Sequence, residues 1–249
     1  MNSSNIRYIP FILALSLGMP LHAENVGKFT AATNYLWRGV TQTSDSPAVA
    51  VALEYYAPQG SYLGIWSSST NYGDRQSYEV HGYLGHGFKL AEVDIDLALR
   101  YYYFPDGGKY SFDFQPDKWE NRESSDFTEG QIGATYSGLN ARYAYSNSYL
   151  ASDRPGYYLE FNYTYYFMDE LSVKLHAGRT KSEAIDDTQY TASDQALSIT
   201  WTYFTVTASN MPDNDDGRQA DKIRYIFGWT LLINSDDVKR SFSEPEDEE

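Results

Sequence analysis

The residues of this 249-residue chain that could do chemistry are ionisable side chains set inside aromatic and apolar stretches. Arg38 follows Trp37 in "NYLWRGVTQTSDSP", Arg100 precedes three tyrosines in "EVDIDLALRYYYF", and Lys174 and His176 interrupt "ELSVKLHAGRT". Glu160 lies within "YYLEFNYTYYF" and Arg224 within "DKIRYIFGWTLLI". Charges spaced by two share one face of an extended strand, where they can bind or steer ions. Other chemistry is poorly served. The chain has no cysteine, which excludes thiol nucleophiles, thiolate metal sites and a disulfide framework. It has no P-loop, GxGxxG fingerprint, nucleophile elbow or His/carboxylate metal cluster, so no cofactor and no metal are expected. The carboxylates of "PDNDDGRQAD" (Pro212 to Asp221) miss the EF-hand positions relative to Gly217, and a solvated acidic loop is the simpler reading.

The elements that must position these side chains alternate with a period of two. In Tyr157–Phe167, the odd positions Tyr157, Leu159, Phe161, Tyr163, Tyr165 and Phe167 are apolar or aromatic, and the even ones are mostly polar. The same pattern predicts twelve strands, at about 28–40, 48–57, 61–68, 77–88, 92–104, 126–137, 139–147, 156–167, 170–180, 193–202, 204–210 and 221–233. The connections between them alternate without exception. Long polar segments such as Thr41–Pro47 and Pro105–Ser125 alternate with tight turns such as Ser137-Gly138 and Met168-Asp169. Long loops at one end and short turns at the other are expected of an all-β, single antiparallel up-and-down transmembrane β-barrel of the outer membrane. A soluble sandwich or lipocalin-like barrel also alternates. Its solvated face would carry more Lys and Glu than the small, neutral residues found here.

Composition agrees. The chain holds 24 Tyr, a residue suited to strands and to surfaces apolar at one end and wet at the other. Residues 1–23 read as a cleaved signal peptide, with a short apolar run from Ile9 to Met19 and small Ala23 before the cut. No later run approaches the roughly 20 apolar residues of a spanning helix. Residues 24–240 are then the barrel and 241–249 an acidic disordered tail. Nineteen basic against 34 acidic residues, a net charge of −15, make nucleic acid a poor partner.

If the aromatic faces meet lipid, the opposite faces line the interior. The candidate pore-lining residues are Arg38, Glu54, Glu79, His81, Arg100, Arg142, Glu160, Lys174, His176 and Arg224. Arg38 is expected to point inward from the outer end of the first strand. Such a barrel would admit a small solute or ion by passive diffusion, with outer-membrane lipid and lipopolysaccharide around it. A web of interior salt bridges in a closed structural or adhesive barrel fits the same residues. A lipid-modifying enzyme is a further alternative, with outward-facing His86 as its one catalytic candidate. No Ser/His/Asn spacing accompanies His86, and a non-enzyme is the preferred reading. The long loop 105–125, with Trp119, could fold inward as a constriction or present a binding surface.

Thr33–Ser69, "TNYLWRGVTQTSDSPAVAVALEYYAPQGSYLGIWSSS", resembles the opening of the TorF-type porin family of proteobacteria. The shared elements are Tyr35, Trp37-Arg38-Gly39, Gln42, Pro47-Ala48 and Gly60-x-Tyr62-x-Gly64-x-Trp66-Ser67. "LRYYYFPDG", "DFTEGQIGATYSGLNARYAYSNSY" and "YYLEFNYTYYFMDELSVKLHAGRT" resemble later segments of that family, over most of residues 29–180. The resemblance implies an outer-membrane β-barrel acting as a porin, with no substrate assigned. The chain departs from the usual pattern at its end, where an acidic tail follows Phe242 in place of a terminal aromatic residue.

Overall fold

The period-two pattern folds as it reads. The computed structural model describes residues 23–71, 76–105, 126–151, 154–185, 188–214 and 222–234. The strands are β1 (Glu24–Ala32), β2 (Leu36–Trp37), β3 (Val40–Thr41), β4 (Ala48–Tyr56), β5 (Ser61–Asn71), β6 (Gln76–Leu90) and β7 (Val93–Tyr103). They continue with β8 (Phe127–Tyr136), β9 (Leu139–Ser146), β10 (Gly156–Met168), β11 (Leu171–Ile185), β12 (Thr188–Trp201), β13 (Phe204–Asn214) and β14 (Arg224–Asn234). β1 and β4 to β14 form one closed antiparallel barrel of twelve strands, and β2 and β3 form a separate hairpin. The barrel closes through β1 on β14, where Val26 faces Asn234 and Ala32 faces Gly228. Closure leaves no unpaired strand edge.

The turns obey local backbone chemistry. Ser137 and Gly138 both take positive φ (47° and 82°), the geometry of a two-residue hairpin turn whose twist matches the strands it joins. The tight connection at Thr202-Tyr203 divides β12 from β13. β11 and β12 run past the expected limits of 180 and 193, because their pairing continues beyond them to Ile185↔Thr188. Residues 1–22 of the expected signal peptide, residues 106–125 of the long loop, residues 215–221 of the acidic loop and the expected tail 241–249 lie outside the described residues.

The two faces of the wall differ as lipid and lumen would require. Val51, Leu53, Leu84, Leu99, Phe161, Ile199 and Phe227 point outward and are exposed, whereas Glu129, Asn162, Thr180 and Asp194 are buried inside. A water-soluble domain has the opposite arrangement. One expectation fails here. The first strand ends at Ala32, not at residue 40, and the chain then turns into the barrel.

Candidate functional site in the barrel lumen

The connection from Thr33 to Pro47 folds inward as a hairpin. Leu36 pairs with Thr41 and Trp37 with Val40, so the turn is Arg38-Gly39, again with both φ values positive (51° and 80°). Its base is tied by side chains. Asn34 Oδ1 accepts from Thr41 Oγ1 at 2.7 Å and Thr43 Oγ1 at 2.9 Å, and Asn34 Nδ2 donates to Asp45 at 2.9 Å. Asp45 in turn accepts from Lys222 Nζ at 2.5 Å and Arg224 Nε at 2.7 Å, which moors the hairpin to β14.

The tip is fixed by a buried ion pair. Arg38 Nη2 donates to both oxygens of Glu129 on β8, at 2.7 and 2.8 Å. The Arg38 side chain is 7% exposed and that of Glu129 0%. The guanidinium also lies over the rings of Trp37 (4.5 Å) and Tyr158 (4.4 Å), a placement that suits a weakly hydrated planar cation. Tyr102 supplies a further hydrogen bond to Glu129 at 2.9 Å. A buried charge is tolerated only when paired and hydrogen-bonded, and this one is both. Trp37 packs on Tyr102, Phe127 and Tyr149, so the aromatic residues of the opening stretch serve an interior cluster. Gly39 is required by space as well as by φ, since a Cβ there would lie 2.6 Å from Asp194 Cβ and 2.7 Å from Met211 Cγ.

Beside the hairpin lies a cavity of about 530 Å³, and six of the candidate residues line it: Arg38, Arg100, Arg142, Glu160, Lys174 and His176. Its two walls differ. β7 to β11 contribute the long charged side chains, and the opposite wall is small and neutral, with Ala48, Ala50, Ala196, Thr207 and Ser209. Arg142 Nη1 is 3.6 Å from Glu160. His176 Nε2 lies 2.6 Å from Asp194 Oδ2 and its Nδ1 lies 2.8 Å from Asn162 Oδ1, so both ring nitrogens face acceptors. Arg100 stacks over Tyr83 at 4.5 Å.

The other four candidates sit apart from the cavity. Glu79 accepts from Tyr35 at 2.5 Å, and beside it His81 is held between the rings of Trp66 and Tyr102. His81 Nε2 is 3.3 Å from Glu79 Oε1 but is not aligned for a hydrogen bond. Glu54 pairs with Lys28 at 2.6 Å and accepts from Tyr83 at 2.5 Å, not with Arg38. Arg224 belongs to the mooring of the hairpin.

Glu129 and Tyr158 were not among the expected site residues. The signal for Glu129 is weak, because in "DFTEGQIGATY" the inward positions Phe127, Glu129, Gln131 and Gly133 mix every class of side chain. On the outer wall, Ser61 Oγ lies 3.0 Å from His86 Nδ1, and both residues belong to an apolar groove with Leu63, Leu84, Leu97 and Ile132. No described residue holds the other ring nitrogen, so the pair lacks the third group that orients the imidazole of a triad.

These features define a closed twelve-stranded antiparallel β-barrel with an inward hairpin. Over 83% of its length the chain superposes on 98% of the KdgM porin, with a TM-score of 0.51 and 10% identity. It also covers 84% of a membrane protein solved in a study of in-meso crystallization, using 86% of its own length, with a TM-score of 0.50 and 7% identity. By sequence, no curated protein matches it. The chain belongs to the family described as "Bacterial protein of unknown function (Gcw_chp)", whose profile matches residues 22–222.

Proposed function

We propose that this protein spans the outer membrane as a porin-type channel for small solutes or ions, and that its own first loop narrows the bore. The observation that carries the reading is the inverted burial of the wall. Leu53 (68%), Leu84 (59%) and Phe227 (58%) are exposed on the outside, while Glu129 (0%) and Asp194 (4%) are buried on the inside. An apolar belt of that extent needs lipid around it, and a closed sheet is the form in which strands can cross a bilayer. The porin-like fold and the resemblance to TorF-type proteins support the same reading.

Twelve strands lie between the filled eight-stranded barrel and the wide bore of sixteen, so interior side chains and loops decide whether such a lumen conducts. Transport would be passive, with wall charges setting preference and no covalent chemistry. Planar-bilayer recording of the refolded chain is the test. Discrete conductance steps that scale with salt are expected, and their absence across a range of salt would overturn the proposal.

A further inference from the structure

We infer that the cavity beside the hairpin is a binding site for small organic anions bearing a carboxylate, a reading that deepens the channel proposed above and rests on it. The argument is a census of partners. Each described acid near the cavity has a basic partner within 4 Å. Glu129 is held by Arg38 and Tyr102. Asp194 accepts from Tyr158 at 3.2 Å through each oxygen and lies 2.6 Å from His176. Glu160 has Arg142 at 3.6 Å and His176 at 3.8 Å.

The bases are not balanced in return. Lys174 has no ion pair or hydrogen bond among the described residues, and Arg100 has only the face of Tyr83. Arg142 keeps a buried Nε with no acceptor among the described residues, and its Nη1 reaches Glu160 only at 3.6 Å. A buried donor such as this Nε is normally satisfied, and Lys174 stands exposed on the same cavity with its ammonium free to bind. Three cations with spare donors thus converge on one cavity, in a chain whose overall charge is −15.

A carboxylate fits what is left open. Its two oxygens match a guanidinium fork, and an ammonium adds a compact positive charge. The cavity falls within the size range of small-molecule sites. Its small, neutral wall leaves room for the carbon skeleton, and Trp37 and Trp66 supply aromatic surface beside it. A cation would have only Glu160 and Asp194 to meet among the described carboxylates of the lining, and those groups already face Arg142 and His176.

The test reads binding and conduction separately. The refolded full-length chain is titrated with sodium succinate and, as the control, with sodium chloride at matched ionic strength. Tryptophan fluorescence is followed, because Trp37 and Trp66 line the cavity. A saturable change with succinate is expected. K174Q and R100Q should each shift its midpoint upward by about tenfold, the order expected when one charge-assisted hydrogen bond is lost. R179Q, which removes a charge from the outward face of β11, should leave it in place. No saturable change in the wild type, or an equal shift in R179Q, overturns the inference. In the bilayer, conductance with a zero-current potential favouring potassium over chloride would also overturn it while leaving the channel intact. Succinate binding without any conductance would instead sink the channel and keep the site.

Discussion

Arg38 and Glu129 meet inside the barrel although 91 residues separate them in the chain, and one guanidinium nitrogen donates to both carboxylate oxygens. Removing one partner of such a buried pair leaves an uncompensated charge and costs about 3–5 kcal/mol. E129Q is therefore expected to release the hairpin tip and raise single-channel conductance. The check is bilayer recording alongside thermal unfolding of the refolded protein.

Trp37 holds the same tip by packing. It stacks on Tyr149 with ring centroids 6.1 Å apart and meets Tyr102 and Phe127 edge-on. Truncation of a packed aromatic side chain costs about 3–5 kcal/mol. W37A is expected to expose Arg38, so limited trypsin digestion should cut after residue 38 in the variant and spare that bond in the wild type.

Gly39 tests the fit of the turn. At φ +80° an added Cβ is strained, and it also collides with Asp194 and Met211. G39V is expected to displace the hairpin while the barrel still forms, a result read as trypsin sensitivity with unchanged far-ultraviolet circular dichroism.

Asp45 gives the mooring a pH dependence. Burial pushes its carboxyl up, but hydrogen bonds from Lys222 and Arg224 and the charges behind them outweigh that and hold it below the usual carboxylate range. A carboxyl with a depressed folded value contributes tethering above its ordinary value and loses it as pH falls through the lowered one. Acidification below about pH 4 is thus expected to loosen the hairpin base and raise wild-type conductance. D45N should show the raised level already at neutral pH.

Leu84 tests the lipid-facing wall. It lies outward on β6 and is 59% exposed. An arginine near the middle of the bilayer costs about 2–4 kcal/mol. L84R is expected to lower the yield of refolding into liposomes, whereas a charge change at inward Arg100 should not.

The strands were legible in the sequence because a half-apolar wall imposes a period of two on every one of them. The opening stretch was not. Tyr35, Trp37 and Gly39 keep the strand rhythm, so alternation extends the first strand to residue 40 and assigns their face to lipid. In the structure Tyr35 packs on Trp66, Trp37 on the cluster around Tyr102, and the strand has ended at Ala32. Periodicity reports that one face is apolar, not whether lipid or a folded-in aromatic cluster covers it. The local marks of the turn were present in Arg38-Gly39 and in Ser44-Asp45-Ser46-Pro47, but turn chemistry does not reveal direction. Nothing in its length or composition marks loop 33–47 as the one that enters the lumen. Its destination depends on Glu129, a partner that no local pattern connects to Arg38.

The central claim is that the hairpin Leu36–Thr41 narrows a conducting barrel. Single-channel conductance of the wild type against a variant with residues 36–41 replaced by Gly-Ser repeats tests it most directly. Small steps in the wild type and distinctly larger ones in the variant are predicted. Equal conductance in the two proteins would contradict the account.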